Sequence, residues 1–220
     1  MKLQTNKNMF SEKLLGWWKE RHRDFPWRNT RDTYQTLISE VLLHRTKAEQ
    51  VVSVYKVFLK KYPTMKLLST APISDVKRIL HPLGLHWRTE LLHQMAKEIT
   101  QKYDGKIPTE KEELESLPGI SHYIASAVRC FSLGYPEALL DTNTVRVLGR
   151  FFGIRVTDSS RRSQRFTQLH LSLIDTKHPR QFNYAMIDLG ALVCKPKNPL
   201  CNICPLSKMC KYRIQKAMKN

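Results

Sequence analysis

The chain has 220 residues, which is enough for one or two small domains with a hydrophobic core. Its 37 Lys and Arg residues outnumber its 19 Asp and Glu residues, and the net charge of +18 favours a polyanionic partner, either a nucleic acid or an anionic membrane surface. No apolar run is long enough for a membrane-spanning helix, and the first residues lack the apolar segment of a secretory signal. We therefore expect an intracellular protein, of the cytoplasm or nucleoid, that binds nucleic acid and no membrane.

Apolar residues recur at helical spacing along most of the chain. The first predicted helix covers 9–22 with Ser11 as its N-cap, and the proline in 24–28 then interrupts the pattern. Further helices are predicted over 33–43, 47–61, 64–69, 73–80, 88–103, 110–116, 121–133, 141–152, 161–175 and 180–190. No segment shows the sustained alternation of a β-strand, so we predict an all-α fold.

A proline–glycine loop joins two of the predicted helices, and it reads Leu117-Pro118-Gly119-Ile120-Ser121. Glycine allows a tight turn there, and the start of the following helix offers free backbone N–H groups to a phosphate. A plain turn between helices is the alternative, because Pro-Gly turns are common. The high positive charge and the cysteine loop described next favour the phosphate-binding interpretation.

Four of the five cysteines lie together near the end of the chain, with the spacing C-x6-C-x2-C-x5-C. These are Cys194, Cys201, Cys204 and Cys210, and their thiolates are soft ligands suited to zinc or to an iron–sulfur cluster. A zinc ribbon usually has two separate C-x-x-C pairs, whereas this loop has one, which favours a [4Fe–4S] cluster. Zinc, and cysteines that are free or disulfide-bonded, are the alternatives.

These features resemble the helix-hairpin-helix, endonuclease III-like DNA glycosylases that carry a [4Fe–4S] loop. The matching motifs are Phe25-Pro26-Trp27-Arg28, Ser39-Glu40-Val41-Leu42-Leu43, Leu117-Pro118-Gly119, Asp141-Thr142-Asn143-Thr144-Val145-Arg146-Val147 and the cysteine loop, and the family usually has Gly at the position of Ser121. The resemblance implies a two-lobed fold with an active site in the cleft between the lobes. A six-helix barrel domain with the hairpin would cover 28–135, and an iron–sulfur cluster domain would cover 1–27 and 136–220.

The resemblance also implies roles for three residues. Asp141 matches the catalytic carboxylate, which stabilises positive charge developing on the deoxyribose; the alternative, a helix N-cap, is compatible with that role. Glu40 matches a Glu that contacts or protonates the flipped base, and its alternative is a place on the polar face of its helix. Tyr123 stands where bifunctional members carry a Lys that forms a Schiff base, so the resemblance implies a monofunctional enzyme; a core aromatic is the alternative.

An enzyme that acts on a paired base must extrude that base and fill the gap. The candidates for filling it are His44 and Arg45 in one segment and Leu85 and Trp87 in another. Trp87 can stack on a base, and Arg or His can hydrogen-bond to an unpaired guanine. For Trp87, a half-buried surface aromatic is the alternative.

The resemblance points to two kinds of relative, the T/G-mismatch thymine glycosylases and the A/G-mismatch adenine glycosylases. Adenine enzymes usually carry a further C-terminal domain and a Gln-Gln pair, whereas few residues follow Cys210 and the pair here is His44-Arg45. We therefore expect a monomeric DNA repair enzyme that removes thymine or uracil opposite guanine from double-stranded DNA. The alternatives are an adenine glycosylase acting opposite G or 8-oxoguanine, an oxidised-pyrimidine glycosylase, and a non-catalytic iron–sulfur DNA-binding protein.

Overall fold

The computed structural model describes residues 2–84 and 86–218, without the side chains of 2–8 and 86. This part of the chain contains helices and loops but no β-strand, which confirms the all-α prediction. Its contacts divide it into two compact units. We call Asp24–Leu133 the continuous unit, and Met1–Arg23 together with Gly134–Asn220 the split unit. That one unit is a six-helix barrel domain over 28–135 and the other a cluster domain over 1–27 and 136–220 stays a prediction.

The described residues form helices of three kinds. In chain order the α-helices are α1 (Lys2–Arg21), α2 (Thr33–Leu43), α3 (Ala48–Lys61), α4 (Met65–Ser69), α5 (Ile73–Leu80), α6 (His86–Tyr103), α7 (Lys111–Ser116), α8 (His122–Val128), α9 (Thr142–Phe152), α10 (Gln164–Leu171), α11 (Pro179–Asp188) and α12 (Lys211–Ala217). π-Helical turns at Arg129–Leu133 and Leu189–Val193 extend α8 and α11. Short 3₁₀ turns occur at Pro26–Arg28, His81–Leu83, Asp158–Arg162, Cys201–Ile203 and Ser207–Met209. Within the described chain, no helix has the length and apolar character needed to cross a membrane.

Two predicted helices, 33–43 and 73–80, have the predicted bounds, as α2 and α5. The start of α2 is fixed by Asp32, whose carboxylate accepts a hydrogen bond from the Gln35 backbone N at 2.7 Å. The predicted helix over 161–175 is too long at both ends, since α10 covers only Gln164–Leu171. Its apolar pattern continues because Leu173 and Ile174 are buried beyond the last helical residue. Helix α12 was not predicted.

The predicted start of the first helix is wrong. Helix α1 begins at Lys2, so Ser11 lies inside the helix and is no N-cap. Its hydroxyl instead donates to the backbone carbonyl of Leu173. The apolar pattern begins only where Phe10 and Leu14 enter the core, whereas the polar residues before them form helix without an apolar face for the sequence to reveal.

The core of the continuous unit surrounds α2. Helix α2 packs against α3 and α8, and its Leu37, Ile38 and Leu42 are fully buried with Phe58 of α3 and Val128 of α8. Close packing on two sides fixes the rotation of α2 about its axis. The direction in which its polar residues point is therefore set by this core.

The core of the split unit joins α1 to helices from the end of the chain. Phe10 of α1 packs edge-on against Phe151 of α9, with 4.9 Å between ring centroids. A buried ion pair adds to this core: the fully buried Asp188 of α11 accepts from Trp18 Nε1 at 2.9 Å and from Arg23 Nε at 2.7 Å. Removing one partner of such a pair leaves a buried charge uncompensated, so the pair fixes the end of α1 on α11.

His170 of α10 is a buried imidazole in this same core. It is 0% exposed, both ring nitrogens lack a hydrogen-bond partner, and its ring meets Phe182 edge-on. Burial lowers the pKa of His170 to about 3, because the charged form cannot be solvated there. The folded protein therefore takes up this proton far less readily than the unfolded chain does.

We predict that His170 lowers stability in mild acid. Its folded-state pKa lies below the unfolded value, so its contribution is fully present above about pH 6.5 and is lost as pH falls, by about 1 kcal/mol per pH unit. His170→Leu should remove this part of the pH dependence and raise the free energy of unfolding, since it also removes an unsatisfied N–H. Urea unfolding of both proteins between pH 7 and pH 5 measures the difference. If the free energies of unfolding of the two proteins changed equally with pH, the effect assigned to His170 would be contradicted.

Candidate functional site

The loop between α7 and α8 forms the predicted tight turn. Gly119 has a left-handed backbone conformation with φ of 78°, and the Ile120 N–H donates to the Leu117 carbonyl at 3.1 Å. A side chain at Gly119 would also be crowded, because an added Cβ would lie 3.1 Å from the Leu91 Cβ. Gly119 is therefore required both by the turn and by its close approach to α6.

Ser121, which occupies the position where the family usually has Gly, does not need a glycine's freedom. It is the N-cap of α8 with φ of −89°, and its hydroxyl accepts from the Ile124 backbone N at 3.3 Å. Leu117 and Ile120 have buried side chains that anchor the hairpin, so these two predicted DNA-binding residues present only backbone atoms. Gly119 and Ser121 are exposed, and Pro118 is half-buried.

Glu40 and Tyr123 lie on two helices that pack together. Glu40 is in α2 and is only 7% exposed, so it does not occupy a solvent-exposed polar face as the alternative interpretation required. Tyr123 is in the first turn of α8 and is half-buried. Helix α2 contacts α8 within the continuous unit. A buried carboxyl group is costly unless it is hydrogen-bonded or ion-paired. Its burial is compatible with a place in the site, and the role of Glu40 there stays a prediction.

Several of the predicted DNA-binding residues line one pocket of the continuous unit. His44, Trp87, Pro118, Gly119 and Ser121 contribute to its wall, and its volume is about 390 Å³ including space open to solvent. Trp87 is 57% exposed and His44 and Arg45 are exposed, whereas Leu85 lies outside the described residues. The structure thus brings the hairpin loop and two gap-filling candidates to the same place.

Asp141 is the N-cap of α9, and both of its carboxylate oxygens accept hydrogen bonds. Oδ1 accepts from the Thr144 backbone N at 2.7 Å, and Oδ2 accepts from Asn143 Nδ2 at 3.0 Å. The Thr144 hydroxyl in turn accepts from the Asp141 backbone N at 2.8 Å, which completes a capping box. The N-cap interpretation of Asp141 is therefore correct, and the carboxylate is half-buried and held in one orientation.

Arg146, one turn further along α9, connects this carboxylate to the cysteine loop. Its Nη2 donates to Asn143 Oδ1 at 2.7 Å and to the Gly190 carbonyl at 2.8 Å, and its Nε donates to the Cys194 carbonyl at 2.7 Å. Asn143 therefore bonds to Asp141 on one side and to Arg146 on the other. Sequence reasoning assigned no role to Asn143 or Arg146; their three-residue spacing, which puts them on one helix face, was the available signal.

The cysteine loop carries the donor set that a thiolate-ligated centre requires. Cys194, Cys201, Cys204 and Cys210 are all free and only partly exposed. Burial raises the pKa of the Cys204 thiol to about 11, and the neighbouring thiols of Cys194, Cys210 and Cys201 act in the same direction. The thiols are thus close enough to influence one another. Among residues 2–84 and 86–218, no three His, Cys, Asp or Glu side chains are arranged to hold a metal ion.

Arg150 of α9 fixes the first turn of this loop. Its Nη1 donates to the Lys195 carbonyl at 2.7 Å and to Cys194 Sγ at 3.4 Å, and its Nη2 donates to the Pro196 carbonyl at 2.8 Å. Its own carbonyl accepts from Cys210 Sγ at 3.6 Å. The four cysteines are the residue type that binds such a cluster, and that they hold one stays a prediction.

Comparison with known proteins decides the family. Residues 38–170 match the model described as HhH-GPD superfamily base excision DNA repair protein. The chain belongs to the HhH-GPD superfamily. This membership confirms the resemblance drawn from the hairpin and the Asp141 motif, which lie within the matched residues, whereas the cysteine loop lies beyond them.

Relatives in this superfamily match nearly the full chain. The thymine-DNA glycosylase of Aeropyrum pernix is 39% identical over 205 residues, which cover 91% of this chain and 92% of the relative. An adenine DNA glycosylase of Buchnera aphidicola subsp. Baizongia pistaciae is 33% identical over 204 residues, covering 92% of this chain and 58% of the relative. The solved structure of a thermostable thymine-DNA glycosylase has a TM-score of 0.92 at 32% identity, covering 98% of this chain and 100% of that one.

We predict that Gly119→Ala weakens DNA binding through the hairpin. The new methyl group meets Leu91 and forces the left-handed turn to change, so we expect about tenfold weaker binding of a labelled duplex by fluorescence anisotropy. Gly134→Ala is the matched control, since Gly134 has φ of 82° but no atom within 4 Å of an added Cβ. Both variants should lose about 1–2 kcal/mol of stability. Equal affinity of the two variants would contradict a role for the hairpin.

A second prediction concerns the contact between the π-helical turn after α11 and Asn143. A Cβ added at Gly190 would lie 2.5 Å from the Asn143 Cβ, so Gly190→Ala should displace Asn143 from Asp141 and lower the free energy of unfolding by about 1–3 kcal/mol. Gly16→Ala in α1, where nothing lies within 4 Å, should instead raise stability by about 1 kcal/mol. Urea unfolding of the two variants measures this. A Gly190→Ala protein as stable as the unsubstituted one would refute the tight contact.

Proposed function

We propose that the protein is a monofunctional DNA glycosylase that removes thymine or uracil paired with guanine and leaves an abasic site. The observation that carries the proposal is the 39% identity to a thymine-DNA glycosylase over 92% of that relative's length. The net charge of +18 supports double-stranded DNA as the partner, because a basic surface gains affinity by releasing counterions from the phosphates. In the proposal the protein acts as an intracellular monomer.

In this proposal Asp141 stabilises the positive charge that develops on the deoxyribose as the glycosidic bond breaks. Its two carboxylate oxygens already accept hydrogen bonds from Thr144 and Asn143. These bonds keep the carboxylate oriented without neutralising its charge, as electrostatic stabilisation of a transition state requires. Because both oxygens are engaged, the proposal gives Asp141 an electrostatic role in the first place and the positioning of the attacking water in the second.

Glu40 and Tyr123 complete the proposed chemistry. Glu40 contacts the extruded base or protonates it, and its position inside the protein, with only 7% of the residue exposed, supports a role in a site rather than on the surface. Tyr123 has no amine with which to form an imine at C1′, so water takes the place of an enzyme nucleophile. The proposed products are a free base and an intact strand with an abasic site.

The proposed DNA contacts are the hairpin and the gap-filling candidates. The hairpin residues 117–121 bind a phosphate through backbone N–H groups, and the exposed turn at Gly119 supports this. His44, Arg45 and Trp87 fill the space left by the extruded base, a role supported by their exposure; Leu85 is proposed with them on sequence grounds alone.

We also propose that Cys194, Cys201, Cys204 and Cys210 hold a [4Fe–4S] cluster. The free thiols, their mutual influence and the Arg150 cation beside Cys194 support this assignment. When bound, the cluster would cross-link the loop and so fix the Cys194 carbonyl that accepts from Arg146. The residues of the chain carry out the hydrolysis in this proposal, and the loop serves to hold them.

An adenine glycosylase is the second candidate, favoured by the 33% identity to an adenine DNA glycosylase. The two enzymes differ in the base they release, so single-turnover incubation with T·G, U·G, A·G and A·8-oxoguanine duplexes separates them. A non-catalytic DNA-binding protein would release no base from any of the four. A protein that acts on the adenine duplexes alone would overturn the proposed substrate.

We predict that Asp141→Asn strongly slows base release but preserves the fold. Asparagine is as good an N-cap as aspartate, so the stability should stay within about 1 kcal/mol, whereas loss of the charge should slow release about a hundredfold to a thousandfold. Binding of duplex DNA should remain, because the hairpin is untouched. The exposed Asp158→Asn in the same unit is the matched control and should retain full activity. Full activity of Asp141→Asn would refute the catalytic role.

The monofunctional mechanism predicts strand cleavage only after alkali. Without an amine at position 123 the abasic product stays intact, so a labelled U·G strand should be cut efficiently after hot alkali and hardly at all before it. Introducing the amine with Tyr123→Lys is a positive control for borohydride trapping of an imine. Equal cleavage with and without alkali by the unsubstituted protein would contradict the mechanism.

A further inference from the structure

Arg88, in the first turn of α6, is a cation held inside the continuous unit at a cost. The residue is 6% exposed, its Nε is buried with no partner, and burial lowers its pKa, as does the nearby Arg45. Taking a guanidinium out of water is unfavourable unless its hydrogen bonds are replaced. A buried guanidinium with an unpartnered Nε is unfavourable for stability, which suggests that Arg88 serves a function besides packing.

One set of Arg88 contacts holds the end of α2. Nη1 donates to the carbonyl of His44, the C-cap of α2, and lies 3.5 Å from the carbonyl of Val41. A cation suits this place, because the last carbonyls of a helix carry partial negative charge. The next residue, Arg45, has a left-handed backbone with φ of 62°, which is unfavourable for a residue with a side chain. The bond from Arg88 to His44 thus orients a strained turn.

The other contact of Arg88 holds Trp87. The guanidinium carbon lies 4.9 Å from the centroid of the indole ring, within the range of a cation–π interaction. Trp87 is nevertheless 57% exposed, so its ring is open to solvent although Arg88 contacts it from one side. His44 and Trp87 line the same pocket as the hairpin residue Gly119, and Arg88 lies between them in that wall.

We propose that Arg88 is a positioning residue that holds His44 and Trp87 ready before DNA binds, so that together they fill the space left by the extruded base and contact the purine opposite. This inference rests on the proposed glycosylase function. Arg88 holds His44 by its backbone carbonyl and Trp87 by its ring, so these residues lose less conformational entropy on binding. Their contacts with the DNA then offset the cost of unstacking the target base. Arg88 itself touches no reacting atom.

His44 has the properties needed to contact guanine. Although His44 is exposed overall, partial desolvation of its imidazole lowers its pKa, and the neighbouring Arg88 and Arg45 cations lower it further. A neutral imidazole keeps one nitrogen as a hydrogen-bond acceptor, and the N1–H and N2–H groups of an unpaired guanine are donors. Trp87 can stack on either base next to the gap.

The experiment compares two substrates that differ only in the need to open a base pair. Uracil opposite guanine must be extruded, whereas uracil opposite a tetrahydrofuran abasic analogue has no partner base to separate from. Arg88→Gln should slow release from the U·G duplex about tenfold and change release from the abasic-analogue duplex by less than about threefold. Arg88→Lys should lie between, because Lys keeps the charge and can donate to a carbonyl but lacks the planar guanidinium that also contacts the indole ring.

Controls make each outcome decisive. Arg78→Gln, at a 74% exposed side chain of the same unit, should match the unsubstituted protein on both substrates. Trp87→Ala removes an exposed ring without disturbing the core, so it should show the same selective loss as Arg88→Gln even if Arg88→Gln proves unstable by thermal unfolding. Equal slowing on both substrates, or no loss in Trp87→Ala, would overturn the inference. An unsubstituted protein inactive on both substrates would overturn the proposed function instead.

Discussion

The orientation of the Asp141 carboxylate depends on hydrogen bonds that join several segments of the split unit. Both oxygens accept hydrogen bonds, one from the backbone at the start of α9 and one from Asn143. Asn143 is held by Arg146, which donates to the carbonyls of Gly190 and Cys194. The Arg146 side chain therefore connects three segments: the start of α9, the turn after α11 and the first residue of the cysteine loop. A displacement of the cysteine loop would therefore move Arg146, then Asn143, and so change the position of Asp141.

This arrangement gives the cysteine loop a role that needs no chemistry of its own. The loop consists of short 3₁₀ turns closed by local backbone hydrogen bonds, and a cross-linking group would join these turns to one another. Arg150 and Arg146, on successive turns of α9, hold its first residues from the helix side. In the proposed function the bound cluster would hold the loop from the other side. The carboxylate would then keep its position while the protein extrudes a base.

The sequence predicted the features that depend on local patterns. Gly119 was recognised as a turn residue because it lies in a Pro-Gly loop between two predicted helices, and the structure gives it a left-handed conformation. Asp141 was recognised as a possible N-cap because it stands at the start of a predicted helix. The start of α1 was wrong because its first residues carry no apolar period. Ser121 could be placed only by the structure, which shows that an ordinary N-cap geometry suffices there.

The residues that sequence reasoning did not find act through distant backbone carbonyls. Arg88 bonds to carbonyls 44 and 47 positions earlier in the chain, and Arg146 bonds to a carbonyl 48 positions later. No residue type marks a carbonyl as a partner, so these contacts leave no motif. In the sequence, an arginine in an amphipathic helix is expected on the surface, and only the structure shows the backbone carbonyls that it contacts. The adjacency of Trp87 and Arg88 was the one local feature of the sequence that could have indicated the contact between them.

The central claim is that Asp141 faces the sugar of an extruded nucleotide. The most direct measurement is a crystal structure of the protein bound to a T·G duplex in which a 2′-fluoro substituent on the thymidine prevents cleavage. The account predicts an extruded thymidine with its C1′ within about 4 Å of an Asp141 oxygen, the separation at which a carboxylate can stabilise charge on the ring. An Asp141 side chain directed away from the DNA, or a thymidine bound elsewhere on the protein, would contradict it.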